Sequence, residues 1–318
     1  MNRILVIQTA FLGDVILATP VVSELHRLFP NASIDVLVKK GNESLLANNP
    51  KIRDVIAFDK SKGKYKSIFR FIKQFRKEKY DLTVNMHRFG SSGMIAGFSG
   101  AKQRIGFDKN PFAWRYTKKY AHQIGNGTHE VERNLLLIQD LGAKTIVRPE
   151  LFPSKEDFDK VTAFQPENYI CIAPASVWFT KALPESKWIE LIKKNANKKV
   201  YVLGGPDDSA LANRILTEIP EANAENLCGK LSLLQSAALM KGAERNYVND
   251  SGPLHLASSM NAKVTAFFCS TVPEFGFGPM SEDSEIKQVD GLGCRPCGLH
   301  GHAACPKGHF KCGLDIQV

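Results

Sequence analysis

The segment Asn249-Asp250-Ser251-Gly252-Pro253-Leu254-His255 follows a short strand pattern, Glu244 to Val248, and leads directly into a helix pattern. Asp250 and Ser251 are of the types that cap helices, and Gly252 lets a backbone approach a ligand closely. The first turn of such a helix offers unpaired N–H groups and the positive end of its dipole, an arrangement that suits a phosphate. The same residues equally describe a well-capped helix with no ligand, so the rest of the chain has to decide between the two.

Three further segments end a strand pattern and carry polar chemistry. Gln8-Thr9-Ala10-Phe11-Leu12-Gly13-Asp14-Val15 places Gly13 in a tight strand-to-helix turn and Asp14 at the head of the helix. Asp14 is either an N-cap or a carboxylate able to take a proton from a hydroxyl. Neither a Gly-Lys-Ser/Thr nor a Gly-x-Gly-x-x-Gly follows this strand, so the usual ATP and NAD loops are not expected. Ala173 to Pro184 brings Ser176, Thr180 and Lys181 together, two hydroxyls and a cation that could hold a diphosphate or simply be solvated. Leu203-Gly204-Gly205-Pro206-Asp207-Asp208 is a glycine turn after a strand, with Asp207 as a ribose ligand or a plain cap.

The tail holds Cys294, Cys297, Cys305 and Cys312, four of the seven cysteines, with His300, His302 and His309 between them. The Cys-x2-Cys start has metal-ligand spacing, and Cys305 with Cys312 could complete a structural zinc site. The wider second spacing fits a zinc ribbon poorly, which leaves reduced thiols in a packed loop as the other reading.

These loops need a scaffold that ends strands side by side. The chain alternates strand and helix patterns, which implies parallel sheets covered by helices. The first half reads as strands 3–8, 33–38, 55–58 and 82–85, with helices 15–29, 65–79 and 129–141. A polar stretch from 143 to 168, with Pro149, Pro153 and Pro166, interrupts the rhythm and marks a boundary. The second half resumes with strands 169–173, 199–203, 244–248 and 263–269, and helices 185–194, 207–218, 232–241 and 253–260. Two doubly wound domains result, 1–150 and 151–318, each offering a ligand crevice at the carboxyl ends of its strands.

The formal charge of +10 points to anionic partners. Lys60, Lys62, Lys64, Lys66, Arg70, Lys73, Arg76, Lys77 and Lys79 lie close together, interleaved with Ile68, Phe69, Phe71, Ile72 and Phe75 at helical spacing. Such a helix can rest on anionic lipid, or it can pack its apolar stripe on its own sheet and solvate its charges. No apolar run reaches the roughly 18 residues of a membrane span. The amino terminus reads as a first core strand rather than a signal peptide, so a cytoplasmic protein is expected.

The Phe11-Leu12-Gly13-Asp14-Val15 loop, the Ser176…Thr180-Lys181 loop, Gly204-Gly205-Pro206, the Asn249 to His255 segment and the Cys-rich tail occur together and in order. In that combination the chain resembles family 9 of the glycosyltransferases, the lipopolysaccharide heptosyltransferases, and its tail is most similar to that of the heptosyltransferase II members. The resemblance implies a GT-B fold, two Rossmann-like domains facing a cleft, with the acceptor on the amino-terminal domain and the nucleotide sugar on the carboxyl-terminal one. It implies inverting transfer from ADP-L-glycero-D-manno-heptose to a lipid-linked anionic saccharide, the lipopolysaccharide inner core. It also implies peripheral contact with the cytoplasmic face of the inner membrane, no nucleic-acid partner and no required cofactor. On the residues, it implies that Asp14, beside Gly13 on the acceptor side, is the catalytic base. Lys181 binds the phosphates, with Ser176 and Thr180 as donor-loop hydroxyls. Asp250, Ser251, Gly252 and His255 form the diphosphate segment, and Leu231 lines the adenine pocket. Pro206 or Asp207 aligns with the ribose ligand. The alternatives are a member of the same family with another nucleotide sugar and acceptor, and a non-enzymatic nucleic-acid binder using the basic segment and the tail.

Overall fold

The computed structural model describes residues 1–59, 61 and 63–318; the expectations for Lys60 and Lys62 fall outside that set. The chain divides into two compact units, 1–124 with 130–152, and 125–129 with 153–318.

In the first unit the order is β1 (Arg3–Gln8), α1 (Leu12–Leu28), β2 (Ser33–Lys39), β3 (Asp54–Phe58), α2 (Lys64–Glu78), β4 (Leu82–Asn85), α3 (Gly90–Phe98), β5 (Gln103–Phe107), β6 (Lys118–Tyr120) and α4 (Glu130–Leu136). All six strands are parallel, in the order β3-β2-β1-β4-β5-β6. Ile4, Leu5, Val6 and Ile7 of β1 are completely buried, as expected for a strand covered on both faces.

In the second unit the order is α5 (Lys155–Val161), β7 (Tyr169–Ala173), α6 (Glu185–Lys194), β8 (Lys199–Val202), α7 (Ser209–Thr217), β9 (Ala224–Asn226), α8 (Leu233–Gly242), β10 (Arg245–Asn249), α9 (Gly252–Ser259), β11 (Val264–Phe268), β12 (Ser284–Gln288) and α10 (Lys311–Leu314). Its strands are again parallel, ordered β12-β11-β10-β7-β8-β9. Counted within each unit, both sheets run 3-2-1-4-5-6. The strand order therefore reverses between β1 and β4 in one sheet and between β7 and β10 in the other. Each reversal opens a crevice at the carboxyl ends of those two strands, because their connections leave toward opposite faces. Trp188 of α6 anchors the second core, fully buried against Phe267 with ring centroids 5.4 Å apart and its indole N–H donating to the Leu183 carbonyl at 3.1 Å.

Several boundaries differ from the sequence reading. Helix α1 begins at Leu12, with Phe11 in the N-cap position, so Asp14 is the third helical residue. The helix expected over 129–141 stops at Leu136, followed by a separate 3-10 turn, Gln139–Leu141. The interval 143–168 contains α5, opened by a capping box in which Ser154 accepts from the Asp157 N–H and Asp157 accepts from the Ser154 N–H. Helix α7 begins at Ser209, after a 3-10 turn over Pro206–Asp208, instead of at Asp207. Strands β5, β6, β9 and β12 and helix α3 are additional to the expected elements.

Candidate functional site

The crevice of the second unit is built from loops that leave β7, β10 and β11. Asn249, at the end of β10, is completely buried and clamps the neighbouring loop. Its Oδ1 accepts from the Leu183 N–H at 2.9 Å and its Nδ2 donates to the Pro174 carbonyl at 2.8 Å. That clamp fixes the span in which Ser176, Thr180 and Lys181 lie. The Lys181 ammonium then reaches the Asp250 carboxylate at 2.8 Å, and Thr271, just beyond β11, donates to the same carboxylate at 2.6 Å. Asp250 is nine-tenths buried, so the two partners offset the desolvation of its charge.

Asp250 and Ser251 do not cap α9 as their types suggest. Ser251 occupies the N-cap position in an extended conformation but makes no capping bond, and its hydroxyl turns back to the Asn249 carbonyl at 3.4 Å. Asp250 is drawn away by Lys181 and Thr271. The dipole end of α9 is thus not closed by its own cap residues, and it lies beside a lysine held at the reversal of the sheet. One turn further along, His255 is buried, and its Nδ1 has no hydrogen-bond partner among the described residues. Burial pushes this imidazole down to about 3, against the pull of Asp250 and with help from His129 and Lys181. It is therefore neutral around pH 7.

The glycine turn and the Leu231 segment meet nearby in the sheet. The Gly229 N–H donates to the Gly204 carbonyl at 3.0 Å. Gly229 has φ +74°, and a Cβ there would come within 2.9 Å of Pro206. Asp208, not Asp207, holds the turn by accepting from the Gly205 N–H at 2.8 Å, which leaves the Asp207 side chain exposed. Leu231 precedes α8, which is capped by Ser232 through the Gln235 N–H at 3.1 Å.

The tail packs on these loops. Thr180 exchanges backbone bonds with the tail and with the loop after β11, its N–H donating to the His302 carbonyl and its carbonyl accepting from Ser270 N–H, both at 3.1 Å. Its hydroxyl accepts from the His302 N–H at 2.8 Å and from the Ser270 hydroxyl at 3.0 Å. The Arg295 guanidinium spans the carbonyls of Cys269 and Thr271 at 2.6 Å each. Among the described residues, no group of three or more His, Cys, Asp or Glu side chains is arranged to hold a metal. The tail does bring its cysteines near one another: Cys294 Sγ lies 3.8 Å from His309 Nε2, Cys297 Sγ donates to the Cys294 carbonyl at 3.1 Å, and charges on Cys294, Cys297 and Cys305 would act on Cys312. The four thiols also differ in character: burial pushes Cys312 up to about 11, whereas backbone N–H groups, that of Phe310 foremost, hold Cys305 below the usual thiol range.

In the first unit the loops after β1 and β4 meet at the other reversal. Thr9 Oγ1 and His87 Nδ1 are 2.9 Å apart, and Asn42, after β2, donates to the Ala10 carbonyl at 3.3 Å. The Asp14 carboxylate accepts from the Phe11 N–H at 3.1 Å, so it both steadies the helix start and stands at the strand ends. Helix α4 packs beside this helix, with Asn134 Nδ2 donating to the Leu17 carbonyl at 3.3 Å. It carries a buried pair: Glu130 accepts from Arg133 Nη2 at 2.8 Å and Nε at 2.9 Å. Burial pushes the Glu130 carboxyl up to about 7, opposed by Arg133 and reinforced by Asp14.

Sequence reasoning missed Thr271, Arg295, His87, Glu130 and Arg133. His87 and Thr271 each follow a strand, which is a usable sign. Glu130 and Arg133 lie on a helix remote in sequence from Asp14, and nothing local marks them.

The model of "Glycosyltransferase family 9 (heptosyltransferase)" matches residues 68–304. The chain belongs to glycosyltransferase family 9. It is 28% identical over 281 residues to lipopolysaccharide heptosyltransferase 3 of Escherichia coli, covering 82% of each protein. Among solved structures it is similar to a family 9 glycosyltransferase from Veillonella parvula, with TM-score 0.81 and 23% identity over 90% of this chain and 86% of that one. It is also similar to E. coli ADP-heptose lipopolysaccharide heptosyltransferase II, with TM-score 0.79 and 21% identity over 99% of this chain and 98% of that one. The two Rossmann-like units are thus those of a GT-B glycosyltransferase, and the family makes the chain an enzyme that transfers heptose. The reading as a non-enzymatic nucleic-acid binder falls with that assignment.

Proposed function

We propose that this enzyme moves heptose, with inversion, from ADP-L-glycero-D-manno-heptose to the lipopolysaccharide inner core. The observation that carries the donor half is the Lys181–Asp250–Thr271 arrangement, 2.8 and 2.6 Å, at the strand reversal of the second unit and beside the uncapped start of α9. A diphosphate laid on that helix end meets backbone N–H groups, the Lys181 ammonium and the hydroxyls of Ser176 and Ser251. Neutral His255 supplies a further polar group behind Gly252. Leu231 lines the adenine, and the exposed carboxylate of Asp207 serves the ribose hydroxyls.

In this reading residues 1–150 take the lipid-linked anionic saccharide and 151–318 take the nucleotide sugar. Asp14 removes the proton from the acceptor hydroxyl as that oxygen attacks the anomeric carbon. The bond to the β-phosphate oxygen breaks on the opposite side, so the anomer inverts, and the charge gathers on ADP. Preorganised donors of the kind assembled around Lys181 contribute several kcal/mol to such a transition state. Each step uses groups of this chain, with no cofactor. The enzyme works at the cytoplasmic face of the inner membrane, where its acceptor is anchored, and nucleic acid is not a partner.

Thermal unfolding with ADP, UDP and GDP tests the donor. A nucleotide that binds only the native state at 100 times its Kd stabilises by about 2.7 kcal/mol. ADP is expected to give the largest shift, and ADP release is expected when ADP-heptose and a truncated inner core are combined. A preference for UDP or GDP would move the enzyme to another donor within the family.

A further inference from the structure

Helix α2 buries one face, Ser67, Ile68, Phe71 and Phe75, against the first sheet. That stripe accounts for its core packing. The rest of the helix carries Lys64, Lys66, Arg70, Lys73, Arg76 and Lys77 against a single acid, Glu78. Two large aromatic side chains also point outward there: Tyr65 is 67% exposed and Phe69 63% exposed. At 100° per residue, Phe69 falls between Arg76 and Lys73 on the outer face, one turn from Tyr65 and Lys66. An ordinary solvated basic face has no use for exposed rings, which are disfavoured in water.

The same chemistry continues into the next element. Arg76 Nε donates to the Phe98 carbonyl at 3.0 Å, tying the end of α2 to the end of α3. The Phe98 ring stands edge-on to Phe112 and Trp114, with centroids 6.3 Å apart in each case. The Arg115 guanidinium covers Phe98 at 4.8 Å and Trp114 at 5.4 Å. Trp114 itself is 68% exposed. Exposed aromatic rings side by side with long cationic side chains are the composition of a bilayer interface. Sequence-tolerant binding of single-stranded nucleic acid calls instead for a basic groove that tracks the strand.

We propose that the outer face of α2, continued by Phe98, Trp114 and Arg115, docks on an anionic lipid bilayer. The basic residues meet the headgroup phosphates, and Tyr65, Phe69 and Trp114 enter the interface. This deepens the peripheral-membrane part of the function proposed above and rests on it, since a lipid-linked acceptor has to be met at a membrane surface.

The test is sedimentation of the full-length enzyme with phosphatidylcholine vesicles and with vesicles containing phosphatidylglycerol as well. Binding is expected only to the anionic vesicles. The Tyr65→Ser/Phe69→Ser double variant is expected to bind about tenfold more weakly or worse, at low and high salt alike, with an unchanged melting temperature. Replacing Lys66, Lys73 and Lys77 with Gln is expected to cost about fivefold per lysine at low salt, a loss that added salt erases. Wild-type binding by the aromatic double variant would overturn the proposal. So would single-stranded RNA bound as tightly as the anionic vesicles. Heptose transfer to a soluble, delipidated acceptor is measured alongside. It is expected to be unchanged in all these variants, and its absence in the wild type would sink the functional reading without bearing on the lipid surface.

Discussion

Replacing Lys181 with Met separates the two tasks this lysine is given. It is 18% exposed and its partner Asp250 7% exposed, so the pair is largely desolvated. Removing the ammonium leaves the Asp250 carboxylate with the Thr271 hydroxyl, at 2.6 Å, as its side-chain hydrogen-bond partner among the described residues. Breaking a buried pair on one side costs about 3–5 kcal/mol, because the surviving charge is uncompensated. For a unit the size of the second one, melting as its own cooperative block, that is a fall in melting temperature of roughly 6–20 °C. The second loss is a charge-assisted bond to the diphosphate, about 1.5–3 kcal/mol, or roughly 10- to 150-fold in ADP affinity. Adding Asp250→Asn removes the orphaned charge, so the double variant is expected to regain most of the stability while ADP affinity and transfer stay low. Calorimetric titration with ADP and adenosine, together with melting curves for both variants, reads the two effects apart. Equal losses for ADP and adenosine would place Lys181 away from the phosphates. No recovery of stability in the double variant would refute the buried-pair reasoning.

Asp14→Asn keeps an oxygen for the Phe11 N–H but cannot take a proton, so folding and ADP binding should persist while transfer falls about 10²–10⁴-fold; normal turnover in an ADP-release assay would leave Asp14 as a helix-stabilising residue only. Glu130 is raised from 4.5 to about 7, so its contribution to stability is complete below pH 4.5 and is lost as pH rises through 7. His122 and His255, lowered to about 4 and about 3, act oppositely, their contributions being lost as pH falls below 6.5. The difference between Glu130→Gln and wild type isolates the carboxyl: the variant should gain ~3 kcal/mol relative to wild type between pH 4.5 and 7, and a flat difference in urea midpoints would contradict the raised carboxyl. Thiol titration should label Cys305 early and Cys312 late, following the lowered and raised thiols, whereas one equivalent of bound metal protecting all four tail cysteines would re-establish a four-cysteine site.

The sequence alone marked strands covered on both sides where they read as unbroken apolar runs, as the middle of β1 and all of β7 do; β4, with Thr83 and Asn85, and β11, with Thr265, break that run yet also fall within a residue of the expected positions. It also marked the segments of interest, since glycine and small polar residues after such runs are visible without a structure. Much of the remainder is tertiary. Helix α3, Gly-Ser-Ser-Gly-Met-Ile-Ala-Gly-Phe, has the composition of a loop, yet a Cβ on Gly93 would collide with Asn110 and one on Gly97 with Arg115. Its glycines serve close packing, which no local propensity reveals. The short strands β6, β9 and β12 lie at sheet edges and carry polar residues, exposed in β6 and β12 and half-buried in β9, so period-2 reasoning passes over them.

The side-chain roles separate along the same line. Asp250, Ser251 and Asp207 have the right types for caps, but capping depends on backbone angles and on competing partners. Lys181 and Thr271 draw Asp250 away, and Asp208 takes the bond that Asp207 could have made. Lys181 meets Asp250 because β7 lies beside β10, an adjacency set by sheet order rather than by chain distance. Glu130 reaches the neighbourhood of Asp14 because α4 packs on α1. Residue types disclosed which chemistry the chain could hold; the two reversals of strand order decided which of those residues stand together.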